Sequence, residues 1–123
     1  MKTINSLDQL NILHNQKGFL AHFLSNVSKI ENVSKVILFG SCAREAAGER
    51  SDIDLMVITD GEISIDEEFH IMNDCPPAYD EEFYIPADII IDPINNYERF
   101  KNSSGMVQKA VEREGVDLSE LLR

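Results

Sequence analysis

Lysine and arginine are scarce in this chain, 11 against 22 aspartates and glutamates, and the formal net charge is −11. From Ser51 to Glu98 they are absent altogether, while that stretch holds 14 carboxylates. A protein that grips a phosphate backbone gains affinity by displacing counterions with a basic face, so duplex nucleic acid is excluded as a partner. A carboxylate run without cations is either a solvated surface or a site that holds cations. Cysteine is also rare. Cys42 and Cys75 have no metal-ligand spacing and no companion motif, which fits ordinary small residues in a reducing cytoplasm. No apolar run approaches the roughly 20 residues of a membrane span. The opening MKTINSLDQL lacks the basic-then-apolar layout of a signal peptide, so a cytoplasmic protein without a membrane partner is expected. His14, His22 and His70 stand apart from one another and from any nucleophile, and each reads as a surface or partly buried residue.

What the chain does have is enough apolar material, 43% of its 123 residues, for one core, and a single domain over residues 1–123 is expected. Leu7, Leu10, Leu13, Leu20, Phe23, Leu24 and Val27 recur at helical steps after Ser6, predicting an amphipathic helix that Gly18 bends or splits. Residues 35–39 form a short β-branched run ended by Gly40, predicting a buried strand, and residues 41–47 predict a short helix capped by Ser41 and stopped by Gly48. Residues 52–58 begin in alternation and become apolar, predicting a second strand. Residues 66–73 allow a helix that Pro76-Pro77 must break. Residues 87–91, between Pro86 and Pro93, predict a third strand. Residues 106–114 predict a helix stopped by Gly115, with Asp117 capping a last turn through Leu118, Leu121 and Leu122. The expected order is α-β-α-β-(α)-β-α, an α/β or α+β domain with a small sheet flanked by helices.

The chemistry concentrates in Leu38-Phe39-Gly40-Ser41-Cys42-Ala43-Arg44 and Ser51-Asp52-Ile53-Asp54-Leu55. A glycine where a strand turns into a helix lets phosphates approach the backbone, and a helix start offers free N–H groups and the positive end of a dipole. Arg44, three residues after Ser41, shares its helical face and can address the same phosphates or pair with Glu45 or Glu49. Asp52 and Asp54, one residue apart on a strand, project from one face, an arrangement that is costly unless a cation sits between them. The connection from Gly40 to Asp52 is short for a parallel crossover, which favours antiparallel or steeply crossing strands. Asp88 is the best placed third carboxylate, being flanked by strand residues on both sides. Asp92 shares its facing but lies against Pro93, and Asp80, Glu81 and Glu82 fall in the acidic loop. Singly, a Gly-Ser reads as a turn and an Asp-x-Asp as a solvated sheet face. Together at this spacing they suggest in-line attack of a hydroxyl on the α-phosphate of a nucleoside triphosphate at two Mg²⁺ ions, with Asp88 as base.

The stretch GSCAREAAGERSDIDL resembles the signature of the DNA polymerase β-like nucleotidyltransferase superfamily, and the short length with Ala-Arg after Gly-Ser resembles its minimal nucleotidyltransferase (MNT) branch. The resemblance is strong over residues 36–58, moderate over 88–91 and weak over 111–116. It implies a mixed sheet flanked by helices, with Gly40 and Ser41 on the triphosphate and Asp52, Asp54 and Asp88 as ligands of Mg²⁺. It also implies AMP transfer from ATP to a protein hydroxyl. Members of this branch commonly stand beside a small helical HEPN protein, which they modify as antitoxins, so a HEPN-family partner is expected. Many relatives have glycine where this chain has Glu45. The competing reading is a non-catalytic subunit of the same fold that neutralises or assembles with a partner by contact alone.

Overall fold

A computed structural model describes residues 1–44, 52–73 and 87–122. In chain order its elements are β1 (Lys2–Thr3), α1 (His14–Val27), β2 (Val33–Phe39), β3 (Ile53–Thr59), α2 (Ile65–Asn73), β4 (Ala87–Pro93), α3 (Ile94–Phe100), α4 (Val107–Glu114) and β5 (Val116–Asp117), with 3-10 turns at Leu7–Gln9 and Ser119–Leu122. The strands form one mixed sheet in the order β1-β5-β2-β3-β4. β2 pairs antiparallel with β3, and β4 runs parallel to β3. The fold is therefore the expected mixed α/β sheet flanked by helices.

Alternation along the strands sends side chains to two separate cores. Val36, Leu38, Ile53, Leu55 and Val57 face Phe19, Leu20, Phe23, Leu24 and Val27 of α1 and Ile71 of α2. Ile37, Met56 and Ile58 face Tyr97 of α3 and Val111 of α4. Both faces are covered, which is why β3 reads as a nearly continuous apolar run. Each fully buried aliphatic or aromatic side chain contributes about 1.5–3 kcal/mol by transfer from water. The rings of Phe19 and Phe23, one turn apart on α1, stack at a centroid distance of 6.3 Å and enter the core together.

The first helix divides elsewhere than expected. Gly18 lies inside α1, and the interruption falls at residues 10–13. Ser6 and Gln9 form a reciprocal capping box, the Gln9 Oε1 accepting the Ser6 N–H at 3.1 Å, but that box closes only a 3-10 turn. Leu10 and Leu13 are extended, and the Gln16 side chain accepts the Leu13 N–H at 2.9 Å to start α1 afresh. After β2, the Gly40 carbonyl accepts the N–H groups of both Ala43 and Arg44 at 3.1 Å, so the helical turn is capped by Gly40 and not by Ser41. The remainder of the helix expected over 41–47, its stop at Gly48, and Glu45, Cys75 and Pro76-Pro77 lie outside the described residues.

Pro93 ends β4 but also opens α3, a helix the sequence reading lacked. Its fixed φ of −61° suits the N-cap of α3. Gly115 stops α4 as expected, with φ −66° and its N–H on the Val111 carbonyl at 2.8 Å. The glycine is required by space, because a Cβ there would collide with the Val111 carbonyl and lie 2.6 Å from Ile37 Cγ2. Close approach of the end of α4 to β2 then lets Val116–Asp117 join the sheet as β5. Asp117 Oδ1 accepts the Ser119 N–H at 2.9 Å, the cap expected for the last turn. Among the described residues no helix is long and apolar enough to cross a membrane.

Candidate active site

The antiparallel register of β2 and β3 pairs Phe39 with Asp54, and the parallel register of β3 and β4 pairs Asp54 with Asp88. One carboxylate thus lies between the glycine turn at the end of β2 and a second carboxylate at the start of β4. Gly40 has φ +74°, a conformation L side chains rarely adopt. It also has no room for one: a Cβ at Gly40 would collide with Asp54 Oδ2 and lie 3.1 Å from Asp54 Cγ. The same residue type answers both demands, a left-handed turn and contact with an acid.

Asp54 is half-buried, whereas Asp52 and Asp88 are exposed. Burial raises the Asp54 carboxyl above the usual carboxylate range, and the negative charges of Asp88 and then Asp52 push it further, with Arg44 acting in the opposite direction. A half-buried acid raised further by two neighbouring acids belongs to a donor set short of positive charge. Hard divalent cations prefer all-oxygen surroundings, so the chemistry of the set fits Mg²⁺. The fit is one of donor chemistry alone: among the described residues no three carboxylate, imidazole or thiol groups are grouped closely enough to hold a metal ion.

Asp92, the alternative third acid, is engaged elsewhere. It is buried at the far end of β4, where its Oδ1 accepts from Asn96 Nδ2 at 2.7 Å and its Oδ2 from Gln108 Nε2 at 3.1 Å. It ties α3 and α4 to the sheet. Asp80, Glu81 and Glu82 lie outside the described residues.

Arg44 leaves the turn toward α4, its Nη1 donating to Glu114 Oε2 at 3.0 Å. The expected partners were a phosphate, Glu45 or Glu49, and Glu114 was not among them. The partner belongs to residues 111–116, where the family resemblance is weak but present. Glu114 also accepts from Arg113 Nη2 at 3.1 Å, and these two guanidiniums, Arg44 first, hold its carboxyl below the usual range. Cys42 packs beneath the turn with no exposure and donates its thiol to the Asp52 carbonyl at 3.5 Å. Burial, then Asp54 and Asp52, keep that thiol protonated well above its ordinary value. Ser41 is half-buried at the start of the turn.

A mixed sheet flanked by helices, with a glycine turn set against paired acids on adjacent strand ends, is consistent with a nucleotidyltransferase fold. The family model described as Polymerase beta, Nucleotidyltransferase matches residues 9–114, and the chain belongs to that family. It also resembles the crystal structure of a candidate nucleotidyltransferase from Sulfolobus solfataricus, with a TM-score of 0.50 and 22% identity over 69% of this chain and 73% of that one. That likeness concerns the fold. No curated protein sequence matches the chain significantly.

Proposed function

We propose that the chain is a Mg²⁺-dependent nucleotidyltransferase that moves AMP from ATP onto a hydroxyl of a partner protein, with a HEPN-family toxin as acceptor and the chain as its antitoxin. The observation that carries this reading is the position of Asp54, held between the Gly40 turn and Asp88, its carboxyl raised by burial and then by the acids around it.

In this reading Asp52, Asp54 and Asp88 hold two Mg²⁺ ions, which when bound neutralise phosphate charge and make the attacking hydroxyl more acidic. The Gly40–Arg44 turn offers backbone N–H groups to the triphosphate, and the absent Cβ at Gly40 lets the Asp54 carboxylate lie directly against that turn. Ser41 adds a hydroxyl and Arg44 a guanidinium to the same phosphates. Asp88, exposed at the start of β4, takes the proton from the acceptor hydroxyl as its oxygen bonds to the α-phosphorus and pyrophosphate departs.

The non-catalytic alternative draws on one observation, the ion pair between Arg44 and Glu114. Two measurements separate the readings. A ligand that binds only the folded state raises the melting temperature, so ATP with Mg²⁺ should stabilise the chain, and chelation should remove the effect. Labelled AMP should pass to the purified partner with the wild type and not with Asp54→Asn. A partner complex that forms without any label transfer, and without nucleotide-dependent stabilisation, selects the contact-only subunit.

A further inference from the structure

α2 leaves most of its apolar side chains exposed. Ile71 is its one buried residue, whereas Ile65, Phe69 and Met72 are 85, 62 and 43% exposed. Their spacing of i, i+4 and i+7 places them on one stripe, the pattern by which a helix presents anchors to a partner. A shallow groove of about 280 Å³ runs along this stripe beside Glu68 and Asn73. At 100° per residue Glu68 borders the stripe on one side and Asp66 on the other. Glu67 has a separate duty, since it forms a capping box with Ser64, the two N–H···O bonds each 3.1 Å long. Asp66 and Glu68 are not needed for that box.

We infer that the Ile65-Phe69-Met72 face of α2 docks an amphipathic helix of another protein whose apolar stripe is bordered by lysine and arginine. Charge selects this occupant. The apolar anchors lie between Asp66 and Glu68, in a stretch of sequence with 14 carboxylates and no basic residue from 51 to 98. Basic flanks complement that border and speed encounter. A second copy would set Asp66 and Glu68 against their own kind on two chains of net charge −11. An anionic lipid surface would repel the same border. α2 packs through Ile71 into the core shared with α1, on the sheet face opposite Asp54 and Asp88, which share the side of Met56 and Ile90. Docking here leaves the acid face uncovered, and the inference does not depend on the transfer reading.

The test is fluorescence anisotropy of a labelled synthetic helical peptide, with a Leu/Phe stripe bordered by Lys and Arg, titrated with the full chain. Binding should be saturable, weaken about tenfold or more with Phe69→Asp or Glu68→Lys, and stay unchanged with Asp54→Asn. Phe69→Asp adds negative charge, so diffuse attraction to an acidic protein would strengthen; binding that strengthens or holds with this variant overturns the inference. Ile65→Ser is the second variant, and both should melt like the wild type because the side chains are exposed. Sedimentation showing a dimer that Phe69→Asp dissociates would assign the stripe to a second copy. Flotation on phosphatidylglycerol vesicles that the same variant abolishes would assign it to lipid, and either result also overturns the inference. Loss of AMP transfer would leave this result standing, and failure of peptide binding would leave transfer standing.

Discussion

The guanidinium of Arg44 lies 3.0 Å from the carboxylate of Glu114, a residue 70 positions away at the last turn of α4. This bond joins the glycine turn after β2 to the end of α4, the helix that packs on the site's sheet face through Val111. Because Arg44 and Arg113 depress the Glu114 carboxyl from its ordinary value of 4.5, the pair stabilises the fold above that value and its contribution fades as pH falls through the lower, folded one. Melting curves of wild type and Glu114→Gln, followed from about pH 7 down to about pH 3, should converge at the acid end. A gap that widens on acidification would contradict the assignment.

Gly40→Ala should be costly twice. The left-handed φ of +74° disfavours any Cβ by about 1–2 kcal/mol, and the new methyl group meets the Asp54 carboxylate. A fall in melting temperature of about 5 °C is expected, together with loss of stabilisation by ATP and Mg²⁺. A variant that folds normally and still responds to ATP would show that the close approach is incidental.

Asp54→Asn should stabilise the chain while silencing it. A carboxyl raised by burial and by Asp88 and Asp52 opposes folding at neutral pH when no cation compensates it, so removing its charge relieves strain. In chelator the variant should melt up to about 3 °C above the wild type, and addition of Mg²⁺ should narrow or reverse the difference. A variant less stable than the wild type in chelator would mean that the carboxylate is already compensated within the chain.

Tyr97 is buried and donates its hydroxyl to Glu112 Oε2, joining α3 to α4. Tyr97→Phe should lower stability by about 1.5–3 kcal/mol, the usual worth of a hydrogen bond to a charged acceptor. Burial, then the bond to Glu112, push the phenol far above its ordinary value of 10.0. A raised folded value means the stabilisation is complete below the unfolded one and is lost as pH rises through the folded one. Difference absorbance between the wild type and Tyr97→Phe should therefore show no phenolate from Tyr97 until the protein unfolds in alkali.

Much of this architecture was readable because particular segments were locally consistent. Residues 87–91 and 52–58 are β-branched or alternating and bounded by Pro and Gly, and they became β4 and β3 with small shifts of boundary. β1 and β5, two residues each, are too short to show any period, and they exist because Gly115 admits α4 against Ile37. α3 was hidden because Pro93 signals both an end and a beginning. At the site, the facing of Asp52 and Asp54 follows from strand alternation alone. Which acid pairs with Asp54 depends on strand order, and the partner of Arg44 depends on where α4 comes to rest, neither of which leaves a local trace.

The thiol of Cys42 is sealed beneath the turn that carries Gly40 and Ser41, with no surface of its own and a bond to the chain entering β3. An alkylating reagent can reach it only when that turn lifts from the sheet. In a chain whose Cys75 has been replaced by serine, the rate of Cys42 modification becomes a clock for this opening, and occupancy of the neighbouring site by a triphosphate should slow the clock without any label on the nucleotide.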